Sequence, residues 1–406
     1  MHIENIIIKT LNIKDHRISS CTYEGNLVVH FEAKKRRRLR CSKCGTRGRQ
    51  HDRLPERIWL HVPLWGIPTL LVYKPRRVRC INCGITREEI PWAVGKKRVT
   101  TALVVTVATW VKLLPVEVVA RLFGLHWNTV YTAVRAAVDY GVAHRTTGTV
   151  LHIGIDEISR KKGHRYLTQV YDLDRKILLW SGEGRKEDAL AKFFESGAVD
   201  LSKVTAVCCD MWKPYIRVIR QYLPHADIVF DKFHIIRHVL NAVDQVRKEE
   251  AMEMKNTHPE LLAKTKYIIL RNEEHLTEKQ TIRLKDLQRL HLKTTRAWLL
   301  KESFRELWKC TTDEDARQCL KRWCWMAAHS RLVPIKKVVV MIRNHLDGIL
   351  AFFRHHITNG VVEALNNTAK AISHRARGYR TPTTFMNMMM LCMGGLDLPE
   401  LHHKFV

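Results

Sequence analysis

Val150-Leu151-His152-Ile153-Gly154-Ile155-Asp156 is a short apolar run, rich in β-branched residues, that ends on a carboxylate. It reads as a buried strand. Working outward, Tyr166 to Tyr171 is a second strand, Asp172-Leu173-Asp174-Arg175 a turn and Ile177 to Trp180 a third strand. Arg185 to Phe194 has helical spacing, Val204 to Cys209 is a fourth strand ending in Asp210, and Met211 to Tyr222 is a second helix. Asp227 to Phe230 is a fifth strand ending in Asp231.

The order β-β-β-α-β-α-β is that of the ribonuclease H-like fold. In that fold the first and fourth strands are neighbours, which brings their carboxylates together, and a later helix supplies a third. The chemistry served by such a cluster is in-line attack on a phosphodiester, which uses two divalent ions roughly 4 Å apart. Hard ions such as Mg2+ take oxygen ligands, so Asp156 and Asp210 are the natural first pair. From Lys232 to about Arg354 the chain is charged and helical, with a single glycine, Gly348, so it reads as a helical insertion. Thr358 or Asn359 then caps a helix carrying Glu363, Asn367, Lys370 and His374 along one face, with Arg375, Arg377 and Arg380 extending a basic surface. Glu363 is the third carboxylate, and Lys370 and Arg375 are candidate phosphate contacts.

Upstream lie two smaller modules. Cys41-Ser42-Lys43-Cys44 and Cys80-Ile81-Asn82-Cys83 are separated by 35 residues, and Gly45 and Gly84 follow them. Two residues between cysteines let both thiolates of a tight knuckle face one ion, so the pairs predict a four-sulfur Zn2+ site in a zinc-ribbon-like module. Ile58 to Val62 and Thr69 to Tyr73 are expected as strands of that module. Then Thr101 to Leu113, Val116 to Phe123 and Trp127 to Tyr140 (ending at Gly141) read as three helices. Ala120, Gly124 and Val130 have the spacing of a helix-turn-helix. His126, Trp127, Asn128 and Thr129 would open its recognition helix; Trp127 reads equally as a core aromatic.

Composition agrees with a polyanionic partner. The 406 residues hold 69 Lys+Arg against 40 Asp+Glu, a formal +29, and residues 1–100 alone hold 22 against 8. Lys34 to Arg49 has nine basic residues and no acidic one, and Arg36, Arg37, Arg38 and Arg40 are placed on phosphates. The apolar share of 46% excludes wholesale disorder. No apolar run approaches membrane-spanning length, and 11 cysteines fit a reducing compartment better than a disulfide framework.

Several segments occur in a diagnostic order: the cysteine pairs, the helix-turn-helix, Ile153-Gly154-Ile155-Asp156-Glu157, Asp210-Met211-Trp212-Lys213-Pro214-Tyr215, Phe230-Asp231-Lys232-Phe233-His234, and Asn359-Gly360-Val361-Val362-Glu363-Ala364-Leu365-Asn366-Asn367. Together they resemble the ISL-three-type insertion-sequence transposases of bacteria, within the DDE superfamily. The resemblance implies modules that bind terminal inverted repeats of double-stranded DNA and a catalytic domain that cuts the ends and joins them to target DNA. It also implies Mg2+ or Mn2+ as catalytic ion, at least a homodimer in the synaptic complex, and a cytoplasmic, nucleoid-associated protein.

Asp231 and His234 match an accessory D-x-x-H signature of related transposases, so the middle metal ligand is open between Asp210 and Asp231, strand counting favouring Asp210. The insertion, within the 152 residues between Asp210 and Glu363, matches one that holds flanking DNA or a hairpin in several of these transposases. The expectation is a multidomain α+β chain: a zinc-binding module at 1–98, a helix-turn-helix at 99–145, and a ribonuclease H-like domain at 146–406 with its insertion at about 240–350. The alternatives are a DNA-binding regulator with an inactive catalytic domain and a structure-specific nuclease.

Overall fold

The computed structural model describes residues 15–34, 39–93, 97–146, 148–161 and 165–398, with 8, 13 and 95 in addition. They group into two compact units: one takes the chain up to Thr146 together with the residues from Ala369 on, and the other lies between and ends at Thr368.

The first unit opens with β1 (His16–Tyr23), β2 (Leu27–Ala33), β3 (Arg49–Arg53), β4 (Arg57–Leu64), β5 (Ile67–Tyr73), β6 (Arg76–Cys80) and β7 (Gly84–Arg87). They form a four-stranded sheet in the order β1-β2-β5-β4 and a three-stranded sheet in the order β3-β6-β7. The stretches expected in the zinc ribbon, β4 and β5, therefore belong to the other sheet. Their inward residues Trp59, Leu71 and Tyr73 are large and apolar, and they join Phe31 and Trp92 in a core that a thin ribbon cannot supply. The ribbon is built instead from three short arginine-rich strands with little apolar alternation.

Three helices follow: α1 (Thr101–Leu113), α2 (Val116–Leu122) and α3 (Trp127–Ala143). Thr100 caps α1 by accepting from the Leu103 N–H, and His126 caps α3 through the Asn128 N–H. Val119, Val130 and Ala133 are buried where α2 and α3 meet, and Gly124 makes the turn between them at φ +60°.

The second unit is built on β8 (His152–Lys161), β9 (Arg165–Asp172), β10 (Ile177–Glu183), α4 (Glu187–Glu195), β11 (Ala206–Cys209), α5 (Lys213–Tyr222) and β12 (Asp227–Phe230). The sheet order is β10-β9-β8-β11-β12, antiparallel through β8 and parallel across β8-β11-β12. The first and fourth strands of the unit are thus neighbours. Then come α6 (Lys232–Glu253), α7 (Lys266–Leu270), α8 (Glu278–Arg289), α9 (Lys293–Arg305), α10 (Asp313–His329), α11 (Val333–Asn344), α12 (Leu346–His355) and α13 (Gly360–Arg375).

The helices after β12 share the sheet's core: Trp298, Phe304 and Trp323 are in one buried cluster with Ile153, Val207 and Ile228. Buried Glu250 on α6 caps α9 by accepting from the N–H groups of Lys293 and Thr294, both at 2.7 Å. Those two bonds satisfy donors that the first turn of a helix leaves orphaned. Gly154 decides how closely α13 approaches the sheet, since a Cβ there would come within 2.5 Å of both Val362 and Leu173.

The last element, α14 (Pro382–Met393), belongs to the first unit. Its buried Phe385, Met388 and Met389 give it an apolar face, and it packs on α1 and α3. Residues from Ala369 on, which the expected 146–406 domain includes, group compactly with this first unit. Gly141, expected to end α3, lies inside it, where a Cβ would come 2.7 Å from Leu396 Cβ. Its smallness serves this packing contact and not a helix stop.

Candidate functional site

Strand register assembles the acidic cluster. Val207 pairs with Ile153 and Cys208 with Gly154, so two residues further on Asp210 draws level with Asp156. Cys209 pairs with Phe230, so Asp231 draws level with Asp210. Three parallel strands therefore bring three aspartates into one line, Asp210 and Asp231 just past the ends of β11 and β12 and Asp156 level with them in the middle of β8. Asp231 then caps α6, its Oδ1 accepting from the Phe233 N–H at 3.1 Å, and one turn along, His234 Nδ1 donates to Asp231 Oδ2 at 2.7 Å. Asp210 Oδ1 is buried and lies 2.9 Å from the same Nδ1, so the ring forms ion pairs with both acids. Ligand atoms of Asp210, Asp231 and His234 all lie within 4.8 Å of one another.

The electrostatics follow from this crowding. Burial, with the charges of Asp210 and Glu157, pushes the Asp156 carboxyl up to about 6 against the opposing pull of the Glu157 N–H. Asp210 and Asp231 on either side of His234 raise its imidazole to about 10, so it carries a positive charge between them. Carboxylate oxygens brought this close, beside a second acid that resists ionisation, are a donor set suited to a hard divalent cation.

Asp156 is held from two directions. Its Oδ1 accepts from the Glu157 N–H at 2.7 Å and its Oδ2 from Asn366 Nδ2 at 2.6 Å. Asn366 is buried on α13, and its Oδ1 accepts from the Tyr171 hydroxyl at 2.7 Å. Gln169, directly opposite Asp156 on β9, has a buried Oε1 without a partner. Sequence reasoning missed Asn366, Tyr171 and Gln169 as site residues. The doubled Asn366-Asn367 was the available signal for the first, whereas a Tyr and a Gln inside a strand carry none. Glu363 lies in the first turn of α13, three residues before Asn366; it is exposed and outside the close cluster, as are Asn367 and Lys370 on the same face.

The four cysteines do converge. Cys41, Cys44, Cys80 and Cys83 have sulfurs all within 4.8 Å of one another, with Cys44 and Cys80 at 3.5 Å, and all are free thiols. Tetrahedral Zn–S bonds of about 2.3 Å require sulfurs about 3.8 Å apart, so this set can hold a zinc ion. Gly45 at φ +69° and Gly84 at φ +72° make the two knuckle turns. A Thr86 hydroxyl at 3.1 Å draws the Cys41 thiol down to about 6, and Cys44 beside Cys83 pushes the latter up to about 12. All four could lose their protons together only around a central cation.

On α3, His126, Trp127 and Asn128 are exposed and Thr129 is half-buried. Trp127 is 45% exposed, which resolves its double reading against a core role. Arg40 is exposed, with one N–H on the Gly45 carbonyl; Arg36, Arg37 and Arg38 lie outside the described residues. Arg375 is committed to structure: it donates to the Lys112 and Val111 carbonyls at 2.8 and 3.2 Å, closing the C-terminal end of α1.

Residues 153–389 match the family model described as "Transposase", and residues 88–138 match the helix-turn-helix domain of transposase family ISL3. The chain belongs to transposase family ISL3. It is 31% identical over 352 residues to the transposase for insertion sequence element IS1001 of Bordetella parapertussis, covering 85% of this chain and 86% of that one. It is 28% identical over 392 residues to the transposase for insertion sequence element IS1557 of Mycobacterium tuberculosis, covering 90% and 88%. The transposase thus carries a helix-turn-helix at α2–α3, and the five-stranded sheet and helices α6 to α12 fall within its DDE transposase domain. Its helix-turn-helix implies DNA binding. Among the described residues no helix is long and apolar enough to cross a membrane.

Proposed function

We propose that this transposase binds the terminal inverted repeats of its own insertion sequence, cuts the element ends and joins the freed 3′-hydroxyls to target DNA, acting on DNA in the bacterial cytoplasm. Asp156, Asp210 and Glu363 are the metal-holding carboxylates of a ribonuclease H-like domain; the strand order of the second unit supports that fold. The observation that carries the reading is the alignment of Asp156 in β8 with Asp210 and Asp231 at the ends of β11 and β12, with ligand atoms of Asp210, Asp231 and His234 within 4.8 Å of one another.

Divalent ions, Mg2+ or Mn2+, would supply activation of the attacking hydroxyl and stabilisation of the leaving oxygen. The protein's task is to hold its donors still. The Glu157 N–H and Asn366 orient the two oxygens of Asp156, and the Tyr171 hydroxyl fixes which way Asn366 faces. Asp231 spends both oxygens on the Phe233 N–H and His234, so it acts as an orienter, and Asp210 is the middle ligand. Glu363 is carried one turn before Asn366, so the Asn366–Asp156 bond anchors that turn beside β8. The Cys41, Cys44, Cys80 and Cys83 set holds structural zinc, and His126, Trp127, Asn128 and Thr129 open the helix that meets base edges. Uniting two ends requires two copies of the chain.

The test is cleavage of a labelled element-end duplex with Mg2+ by Asp156→Asn. Retained cleavage at unchanged binding would remove Asp156 from the site. A wild-type protein that binds the ends and never cuts them would favour the inactive regulator.

A further inference from the structure

The ribbon sheet sets arginine opposite arginine. Its register pairs Arg49 with Arg79, Arg77 with Arg87 and Arg53 with Arg76, and an isolated bridge pairs Arg40 with Arg47. Directly opposed like charges destabilise a sheet, so a folded domain that repeats them needs an opposite charge from elsewhere. Alternation sorts the strands into two faces. Val78, Cys80 and Thr86 point inward and are buried. Arg77 and Arg79 point the other way, with Arg87 and Arg49 opposite them on that face.

One acid reaches this face: Asp52 accepts from Arg77 Nε at 2.7 Å. Arg49, Arg79 and Arg87 have no acidic partner among the described residues; Arg49 and Arg79 are exposed and Arg87 half-buried. Arg76, on the inward side, is by contrast neutralised by buried Glu88 at 2.9 Å. Inside, the domain provides a counter-charge for its arginine; outside, for three of four, it does not.

We infer that the outer face of the β3-β6-β7 sheet, through Arg49, Arg79 and Arg87, is a second DNA surface that grips the phosphate backbone of a duplex independently of base sequence. The inference rests on the reading of the chain as an end-binding transposase and adds a site to it. Strands about 4.8 Å apart, with same-face residues about 6.7 Å apart along each, present the guanidiniums as a dense array. Each planar fork can take two oxygens of one phosphate. Such a grip carries no sequence information and leaves base reading to α3.

The test uses the full-length zinc-loaded protein and two duplexes, one with the element's terminal repeat and one unrelated. Each is titrated over a salt series, and zinc content and Tm are measured alongside. Every phosphate contact contributes about 0.9 to the slope of log K against log salt, so the triple variant Arg49→Gln, Arg79→Gln, Arg87→Gln should lose about 3 from the slope on both duplexes. Its Tm should hold or rise, because opposed charges have been removed, and its zinc should be unchanged. The matching Arg→Lys triple should keep the slope.

An unchanged slope in the Gln variant overturns the proposal, as does a loss confined to the repeat duplex. So does a loss shared by the Lys variant together with a lower Tm, since that marks a packing role. If the wild-type protein shows no preference for the repeat but the Gln variant still loses slope, end recognition fails and this surface stands.

Discussion

Where β8 passes the ends of β11 and β12 the chain crowds carboxylates; on the outer face of the ribbon it crowds guanidiniums. Each arrangement costs folding energy, about 0.2–1 kcal/mol for each opposed pair on a sheet and more for acids that are buried. Within the protein the two are handled differently. The acids are orchestrated: His234 sits between Asp210 and Asp231, and Asn366 and the Glu157 N–H grasp Asp156. Arg49 and Arg79 stand exposed and Arg87 half-buried on short strands, with no acidic partner among the described residues. A site for chemistry must hold its donors to within tenths of an ångström, whereas a grip on phosphates needs charge density and benefits from side chains that adapt.

The comparison can be broken at several points. The largest effect is expected from Asp156→Asn or Asp210→Asn, each lowering cleavage of an end duplex by about 10³-fold, worth about 4 kcal/mol of transition-state stabilisation, with DNA affinity intact. Parallel loss with Asp231→Asn, at unchanged Tm, would move the middle ligand from Asp210 to Asp231. Next comes the zinc set. Cys80→Ser should abolish bound zinc and unfold the ribbon, read by metal analysis and by proteolysis near residues 40–90, because structural zinc contributes its binding energy to folding.

Asn366→Ala should raise the Mn2+ concentration needed for half-maximal cleavage by about 10–100-fold, and Mn2+ affinity followed by electron paramagnetic resonance should fall in step. The smallest effect is expected from Tyr171→Phe. It removes only the bond that orients Asn366, and about 1 kcal/mol, or roughly fivefold in rate, is the scale for one such neutral hydrogen bond. An effect of Tyr171→Phe as large as that of Asn366→Ala would mean that the whole chain, not its last bond, holds Asp156.

Much of this was legible in residues alone. Apolar runs ending in Asp156, Asp210 and Asp231 marked the parallel strands, since period and β-branching report a buried strand locally. The two Cys-x-x-Cys knuckles and the Ala120, Gly124, Val130 spacing did the same for metal and helix-turn-helix, because each device is complete within a few residues or one repeat of them. The ribbon's strands were not legible: Arg49–Arg53, Arg76–Cys80 and Gly84–Arg87 are short and polar, and what makes them strands is their pairing with each other beside the converging cysteine knuckles. Arg375 looked like one more basic surface residue until the end of α1 was found beneath its guanidinium.

The sequence by itself determined the strands and helices around Asp156, Asp210 and Asp231, the helix-turn-helix, the two thiol knuckles, and that the chain seeks a polyanion. Only the tertiary structure decided that Asp210 comes level with Asp156, that Asn366 reaches across 210 positions to bond Asp156, and that Arg49 faces Arg79. Local patterns are set by neighbours a few residues away. Register and helix approach are set by packing summed over residues distant in the chain, where a Gly154 without a side chain counts as much as any charged group.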